Sequence, residues 1–281
     1  MGSIRPTAVA GSFYPANLGA LNVALDDCFH LNPLGPRGSV NPSLELIAGM
    51  VPHAALVYSG PCAAYFYSYL DPSIERVILL GVNHRGSGHR ASVSPWDFWR
   101  TPLGNLMVDR EFSRCLSARL GYLIPDSKAH LDEHSIEIQL PFLQRVLGTP
   151  RIVPISLARI SAAEAAEIGY ALAEILQLET LKPLRTVIIA SSDLSHYLSP
   201  EQTDERDRLA VDQVLALDPL TLLKVTEDKN ITMCGVLPTA VMLTAAKALG
   251  AKRATLLKHC HSGEVSPMRQ VVGYASIALD L

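Results

Sequence analysis

Hydroxyl, carboxylate and imidazole side chains follow directly after an uncharged apolar run in the chain. Residues 186–190 are aliphatic or β-branched, a composition typical of a strand that is covered on both faces. Ligands of open α/β sheets gather beyond the carboxyl ends of such strands, and Ser192, Asp193 and His196 follow this one. If the chain turns into a helix there, Asp193 and His196 project to one side and suit general acid/base chemistry.

The same three residues also fit a purely structural interpretation. Ser192 or Asp193 could cap exposed N–H groups at the start of a helix, with His196 as an ordinary packing residue. The segment alone favours neither interpretation. Residues of the same kind elsewhere in the chain must therefore decide between them.

Two other apolar runs each end at a histidine. Residues 44–51 are followed by His53, and residues 76–81 are followed by His84. A lone histidine after a strand is more commonly a packed loop or core residue. Neighbouring parallel strands, however, bring their carboxyl ends together, so we expect both imidazoles to converge with His196 on one crevice.

Glu133 and His134 open a segment that has helical periodicity. We predict a helix over residues 131–143, with Asp132 as its N-cap and a kink caused by Pro141. Glu133 and Glu137 lie off the apolar stripe of this helix. They form either a solvated acidic face or, for Glu133 with His134, part of the wall of a pocket.

Cys234 and Gly235 precede a helix that is predicted to end near residue 249. Backbone N–H groups at a helix start lower the pKa of a thiol and favour the thiolate that metals and electrophiles require. A buried, inert thiol is nevertheless the commoner fate of a cysteine. The five cysteines show no C-x-x-C spacing, which argues against a disulfide framework and a zinc ribbon.

Strands and helices alternate along the rest of the chain. This order predicts an α/β fold, a single domain over residues 1–281 with a mostly parallel central sheet flanked by helices. Further helices are predicted at residues 17–28, 60–70, 162–178 and 200–217, and further strands at residues 151–157, 254–260 and 270–279. No long linker or repeat divides the chain.

The composition excludes some partners. A net charge of −3 leaves no basic surface for nucleic acid or an anionic membrane. We see no secretory signal and no apolar run of about 18 residues, so a cytoplasmic protein without a membrane partner is expected. A homo-oligomer is compatible with the sequence.

Six segments resemble the Memo-like family, also called AmmeMemoRadiSam system protein B, over nearly the whole chain. Each segment is weakly specific alone, but all six occur in the family's order. The family is similar in fold to the class III (LigB-like) extradiol dioxygenases, which are non-haem iron enzymes that open catechol rings. The segments are residues 8–15 (AVAGSFYP), 52–60 (PHAALVYSG), 80–84 (LGVNH), 132–141 (DEHSIEIQLP), 191–196 (SSDLSH) and 234–235 (CG).

The resemblance implies a metal centre. It assigns His53, His84 and Cys234 as metal ligands and places Asp193 and His196 in the same cleft. From their side-chain chemistry we expect Asp193 and His196 to be catalytic, with Asp193 as an orienting group and His196 as the acid/base. Ala55 and Val82 stand where relatives commonly carry glycine and proline, but neither change removes a metal-binding side chain. The ring-cleaving enzymes use two histidines and a carboxylate, so a thiolate as the third ligand puts the reaction in question.

Substrate contacts are expected from residues around this cleft. Glu133, His134, Tyr58 and Ser192 are the candidates, and the ligand is expected to be a small aromatic molecule or a peptide. Two imidazoles and a thiolate suit a divalent metal, with Fe(II) expected and Cu or Zn as alternatives. Three protein ligands leave coordination positions open for oxygen, water or substrate.

Three classes of function fit these residues. The first is a metal-dependent oxidoreductase of the dioxygenase type. The second is a peptide- or protein-binding module that uses the same cleft, because fold does not fix function. The third is a hydrolase, either zinc-dependent or with Cys234 as nucleophile and His196 as base. Ser192, Asp193 and His196 are too close in sequence for a serine triad.

Overall fold

The computed structural model describes residues 2–178 and 183–281, in which helices cover both faces of a large β-sheet. The strands are β1 (Ile4–Arg5), β2 (Leu46–Val51), β3 (Arg76–Val82), β4 (Ala91–Val93), β5 (Phe98–Thr101), β6 (Gly104–Met107), β7 (Ile124–Pro125), β8 (Arg151–Leu157), β9 (Thr186–Ser191), β10 (His196–Leu198), β11 (Arg253–His261) and β12 (Val271–Asp280). The helices are α1 (Leu18–Asp26), α2 (Leu56–Tyr69), α3 (Arg110–Arg119), α4 (Lys128–Leu131), α5 (Leu140–Leu147), α6 (Ala162–Leu178), α7 (Pro200–Leu215), α8 (Pro219–Asp228) and α9 (Val236–Ala248).

The centre of the large sheet is parallel. Within the described residues its strands run in the order β10-β12-β2-β9-β3-β8-β4-β7, and β11 pairs with β12. β2, β9, β3 and β8 are mutually parallel neighbours, whereas the β12 and β4 pairings that flank them are antiparallel. The predicted α/β fold with helices around a parallel central sheet is therefore confirmed, with antiparallel strands added at its edges.

The protein has two apolar cores, one on each face of the large sheet. Ile78 and Leu80 of β3 belong to one buried cluster, and Val77 and Leu79 belong to the other. Side chains alternate between the faces of a strand, so this uninterrupted apolar run buries both faces. None of the helices among the described residues is long and apolar enough to cross a membrane.

The helix predicted over residues 131–143 is wrong. Asp132 follows the C-terminus of α4 instead of capping a new helix, and residues 132–136 are a loop. A single 3₁₀ turn, Glu137–Gln139, then leads into α5. Pro141 lies in the first turn of α5, where an N–H has no helical partner anyway, so it causes no kink.

The acidic residues of this segment do not form a solvated face. Glu137 is fully buried and is ion-paired to Arg5, which is also fully buried. Its carboxylate also accepts hydrogen bonds from the N–H groups of Ala8 and Val9 and from the Tyr14 hydroxyl. These contacts attach the N-terminal segment to the loop that carries Glu133.

His130 makes the stability of the fold dependent on pH. Burial, and then the charge of Arg5, lower the pKa of His130 to about 3. The unfolded chain binds a proton below about pH 6.5 and the folded chain does not until about pH 3, so the free energy of unfolding falls as pH falls between these values. We expect His130→Gln to reduce this slope by up to about 1.4 kcal/mol per pH unit.

Urea unfolding at pH 7, 6, 5 and 4 measures that slope. The exposed His30 provides a control, because His30→Gln should leave the pH dependence as it is in the wild-type chain. If the free energy of unfolding depended on pH equally steeply in His130→Gln and in the wild-type chain, His130 would not be the cause of the pH dependence.

Candidate metal centre

The candidate site lies at the carboxyl ends of three neighbouring parallel strands. His53 follows β2, His84 follows β3, and Asp193 follows β9. These strands are adjacent in the order β2-β9-β3, which explains why the three loops meet. The segment before α9 brings Cys234 to the same place, and the loop before α5 brings His134.

His53 is held from three sides in the interior. Its side chain and backbone are buried, and its N–H donates to Asp193 Oδ1 at 2.7 Å. The ring nitrogen Nδ1 lies 3.0 Å from Ser191 Oγ, and Nε2 lies 3.1 Å from Cys234 Sγ. The imidazole therefore has no freedom to turn without losing these contacts.

The hydrogen bonds of Ser191 fix the tautomer of His53. The Ser191 hydroxyl donates its single hydrogen to Ser135 O at 2.6 Å and accepts a hydrogen bond from Gln139 Nε2 at 2.8 Å. Gln139 Nε2 also donates to a main-chain carbonyl, Pro52 O, which fixes the orientation of the amide. Since the Ser191 hydrogen is already used, Nδ1 of His53 must be the donor to Ser191 Oγ. Nε2 is consequently left with its lone pair directed at Cys234.

Glu133 orients the other two histidines. Its carboxylate accepts hydrogen bonds from His84 Nδ1 at 2.9 Å and from the His84 N–H at 2.8 Å. His134 Nδ1 lies 3.3 Å from the same carboxylate. Such a hydrogen bond to one ring nitrogen leaves the other nitrogen of His84 available as a ligand. Glu133 therefore contacts the histidines themselves.

The three imidazoles form a compact cluster. The ring of His53 meets those of His84 and His134 edge-on, at centroid distances of 5.1 and 5.4 Å. His84 and His134 are stacked at 4.5 Å with an angle of 17° between their planes. One ligand atom from each of the three residues lies within 4.8 Å of the others, so this cluster could hold a metal ion.

The electrostatics keep His53 and His134 neutral. Burial, and then the neighbouring His84 and His134, hold the pKa of His53 well below its usual range. Burial likewise lowers the pKa of His134 to about 4. Burial opposes ionisation of Glu133, but the hydrogen bonds from His84 and nearby donors outweigh it and lower its pKa to about 2. A neutral imidazole beside a carboxylate is the form that binds a metal ion.

The predicted lowering of the Cys234 pKa is wrong. α9 begins only at Val236, and burial followed by the charge of Asp193 raises the pKa of the thiol instead. Burial therefore outweighs the effect of the helix start. Without a metal the thiol keeps its proton, and S–H donates to the unprotonated His53 Nε2.

Ser192 supports the main chain beside Cys234. Its hydroxyl accepts a hydrogen bond from the Gly235 N–H at 3.0 Å and donates to Asp193 O at 2.8 Å. A Cβ atom at Gly235 would lie 2.5 Å from Ser191 O and 2.4 Å from Ser192 Cβ, so only glycine allows this approach. The fully buried Ser192 thus holds Cys234 near His53, and its contact with a substrate stays a prediction.

Asp193 and His196 do not share a helix face, because residues 192–195 are a loop that leads into β10. Asp193 Oδ1 accepts hydrogen bonds from the N–H groups of His53 and Ala54, and burial raises its pKa. His196 Nδ1 instead donates to Thr232 O at 2.9 Å. Asp193 therefore positions the main chain at His53, and Thr232 orients His196.

Comparison with known proteins assigns the chain to a family. The family model of the Memo-like proteins matches residues 5–278. The chain belongs to the Memo-like family. A MEMO1 family protein of Methanopyrus kandleri is 41% identical over 280 residues, covering 97% of this chain and 98% of that protein. A MEMO1 family protein of Methanococcoides burtonii is 38% identical over 275 residues, covering 98% and 99%.

A solved structure shows the same fold at a greater distance. An uncharacterized protein from Escherichia coli K12 superposes with a TM-score of 0.53 at 13% identity, covering 83% of this chain and 99% of that one. At this identity the likeness concerns the fold alone. It agrees with the α/β arrangement of this Memo-like protein.

Several residues of the candidate site were not assigned a role from the sequence. Ser191 and Gln139 fix the tautomer of His53, and Phe13 packs on the ring of His134 with 4.7 Å between centroids. Phe13 lies in a segment that carried the family resemblance, which is the only signal for it. Tyr58 lies in the first turn of α2, partly exposed, and its contact with a substrate stays a prediction.

We expect Ser191→Ala to shift His53 toward the other tautomer. Without the hydroxyl, the Nδ1–H group has no acceptor in a buried position, so the proton moves to Nε2 and blocks the lone pair that faces Cys234. Long-range ¹H–¹⁵N spectra of histidine-labelled protein report the tautomer directly. Ser195→Ala, at another buried serine close by, is the matched control. An unchanged His53 signal in Ser191→Ala would contradict the assignment.

Proposed function

We propose that this chain is a metal-dependent oxidoreductase that uses non-haem Fe(II) and acts on a small aromatic substrate. The proposed ligands are His53, His84 and Cys234. The observation that carries the proposal is the cluster of three hydrogen-bond-oriented imidazoles, His53, His84 and His134, together with the Cys234 thiol 3.1 Å from His53 Nε2. Family membership and the resemblance to the extradiol dioxygenases support the reaction class.

The orientation of the rings favours Cys234 over His134 as the third ligand. His84 and His134 are stacked with 17° between their planes, so one of the two rings would have to turn before both could bind the same ion. Cys234 Sγ, in contrast, already faces the lone pair of His53. Ligands of one ion at about 2.0–2.3 Å must lie roughly 3–4 Å from one another, which this pair satisfies. His134 then forms the wall of the site beside His84.

Two imidazoles and a thiolate form a borderline-soft donor set, which suits Fe(II) and also binds Cu and Zn. Bound Fe(II) would supply the one-electron chemistry with dioxygen that amino-acid side chains lack. The protein supplies the orientation and the proton acceptors. The neutral tautomer of His196 that donates from Nδ1 to Thr232 O has a free lone pair on Nε2, and we assign this nitrogen as the base that takes a proton from the substrate.

A cysteine hydrolase is the second candidate, since Cys234, His53 and Ser191 form a chain of thiol, imidazole and orienting group. The proton equilibria disfavour it. Burial raises the pKa of the Cys234 thiol, while burial and two neighbouring histidines lower the pKa of His53. A weakened base cannot readily take a proton from a weakened acid. A metal ion, by replacing that proton, resolves the mismatch.

Single alanine substitutions test the ligand set. We expect His53→Ala, His84→Ala and Cys234→Ala each to weaken Fe(II) binding by at least about tenfold, because each removes one of three donors. His134→Ala should bind Fe(II) within a few-fold of the wild-type chain. Anaerobic equilibrium dialysis with metal analysis measures these affinities, and the exposed His30→Ala is the control.

Two results would contradict the proposed ligand set of His53, His84 and Cys234. Wild-type affinity in any of the three variants would remove that residue from the ligands. A loss in His134→Ala equal to that in His53→Ala would make His134 the third ligand instead of Cys234. Binding of a peptide in the complete absence of metal would favour the interaction module.

Oxygen uptake tests the proposed reaction. We expect the Fe(II)-loaded protein to consume dioxygen with a simple catechol such as 3,4-dihydroxybenzoate. His196→Ala should slow this uptake by about 100-fold or more, because it removes the proton acceptor, without changing the affinity for Fe(II). An oxygen electrode measures the rate, with His30→Ala as control. Unchanged uptake in His196→Ala would exclude it as the base.

A further inference from the structure

Two cysteines outside the metal centre pack against each other beneath α2. Cys62 of α2, Cys260 of β11 and Tyr274 of β12 form a separate buried cluster. Cys62 is fully buried and Cys260 nearly so, and neither is in a disulfide. The sequence gives no sign of this pairing, because 197 residues lie between the two cysteines.

The neighbours of Cys62 place it directly over the hairpin of β11 and β12. Its Sγ lies 3.8 Å from Lys258 O and 3.9 Å from Ser276 Oγ, and Lys258 and Ser276 are paired in register. Cys260 is two residues beyond Lys258 on the same strand face, where it pairs with Tyr274. Burial is the main cause that raises the pKa of Cys62, and the neighbouring Cys260 thiol is the second. The second cause is consistent with direct proximity of the two sulfurs.

The remaining cysteines have different surroundings. Cys28 packs against Gly60, which is about 200° around the α2 helix from Cys62 and thus on its other side. Cys115 is exposed on α3, and Cys234 belongs to the metal centre. Cys62 and Cys260 are therefore the pair that the fold brings together.

We propose that Cys62 and Cys260 form a redox pair that closes to an intramolecular disulfide. The oxidant is a small-molecule disulfide such as oxidised glutathione. One thiolate attacks it and forms a mixed disulfide, releasing one thiol; the second thiolate then displaces the other thiol. The two cysteines lose two electrons and two protons, and the oxidant is reduced to two thiols.

This disulfide would lie directly behind the metal centre. Ala54, the neighbour of His53, packs against the cysteine cluster, and its N–H donates to Asp193 Oδ1 at 3.2 Å. A covalent bond from α2 to β11 fixes the helix that follows His53 to the hairpin that pairs with β10. Oxidation thereby stabilises the two segments that carry His53 and His196.

Mass spectrometry after controlled oxidation tests the pair. The full chain is incubated with oxidised glutathione, both in the folded state and during refolding from guanidinium, so that burial cannot hide the thiols. It is then unfolded, alkylated with iodoacetamide and digested. We expect one cross-linked peptide pair that joins Cys62 to Cys260, with both residues protected from alkylation. Cys115→Ala is the matched control and should retain the link, whereas Cys62→Ala should lose it.

Thermal unfolding tests the consequence. Because the bond closes a long loop, oxidised protein should unfold about 5 °C or more above dithiothreitol-treated protein, and Cys62→Ala should show no such difference. Free Cys62 and Cys260 after both treatments of the wild-type chain would overturn the proposal. Links scattered among all five cysteines would also overturn it.

Discussion

The buried guanidinium of Arg5 holds together the segment on which the site depends. It donates hydrogen bonds to His130 O at 2.9 Å and to Glu133 O at 2.6 Å, pairs with the Glu137 carboxylate, and lies 4.1 Å above the ring of Trp99. Residues 132–136 are not helical, so the carbonyl of Glu133 lacks the partner that a helix would supply. Arg5 satisfies the carbonyls of Glu133 and His130, and Glu137 balances its charge in the interior, where an unpaired charge would be costly.

The contacts of Arg5 connect the start of the chain to the candidate metal centre. Glu137 receives Arg5 together with the N–H groups of Ala8 and Val9, which fixes the segment that leads to Phe13. Phe13 then packs on His134, and the carbonyl of Phe13 accepts the N–H of Leu56 at the start of α2. The N-terminal segment is thus part of the wall of the site, although it contributes no candidate ligand.

The parts of the site that could be predicted are those that follow from strand ends. His53 and His84 converge because uninterrupted apolar runs such as β3 must be parallel central strands, whose carboxyl ends meet. The prediction of a helix over residues 131–143 was wrong because a loop, a 3₁₀ turn and α5 bury the same apolar residues. Arg5, which is distant in sequence, supplies hydrogen bonds that a helix would otherwise make. The prediction of a lowered Cys234 pKa was wrong for a related reason, since burial and the charge of Asp193, which raise it, are tertiary effects. The tautomer of His53 depends on Ser191 and Gln139, and no local pattern reveals such partners.

The glycine after Cys234 has a consequence for which ions the centre accepts. The main chain at Gly235 lies so close to Ser191 and Ser192 that a single added carbon would collide with them. The spacing between Sγ and the imidazole of His53 is therefore set by two backbone segments in van der Waals contact rather than by flexible side chains. Such a gap cannot widen to suit a large ion without separating α9 from β9. If His53 and Cys234 bind one ion as proposed, the centre would discriminate by ionic radius as well as by the softness of its donors, and a residue without a side chain would set that limit.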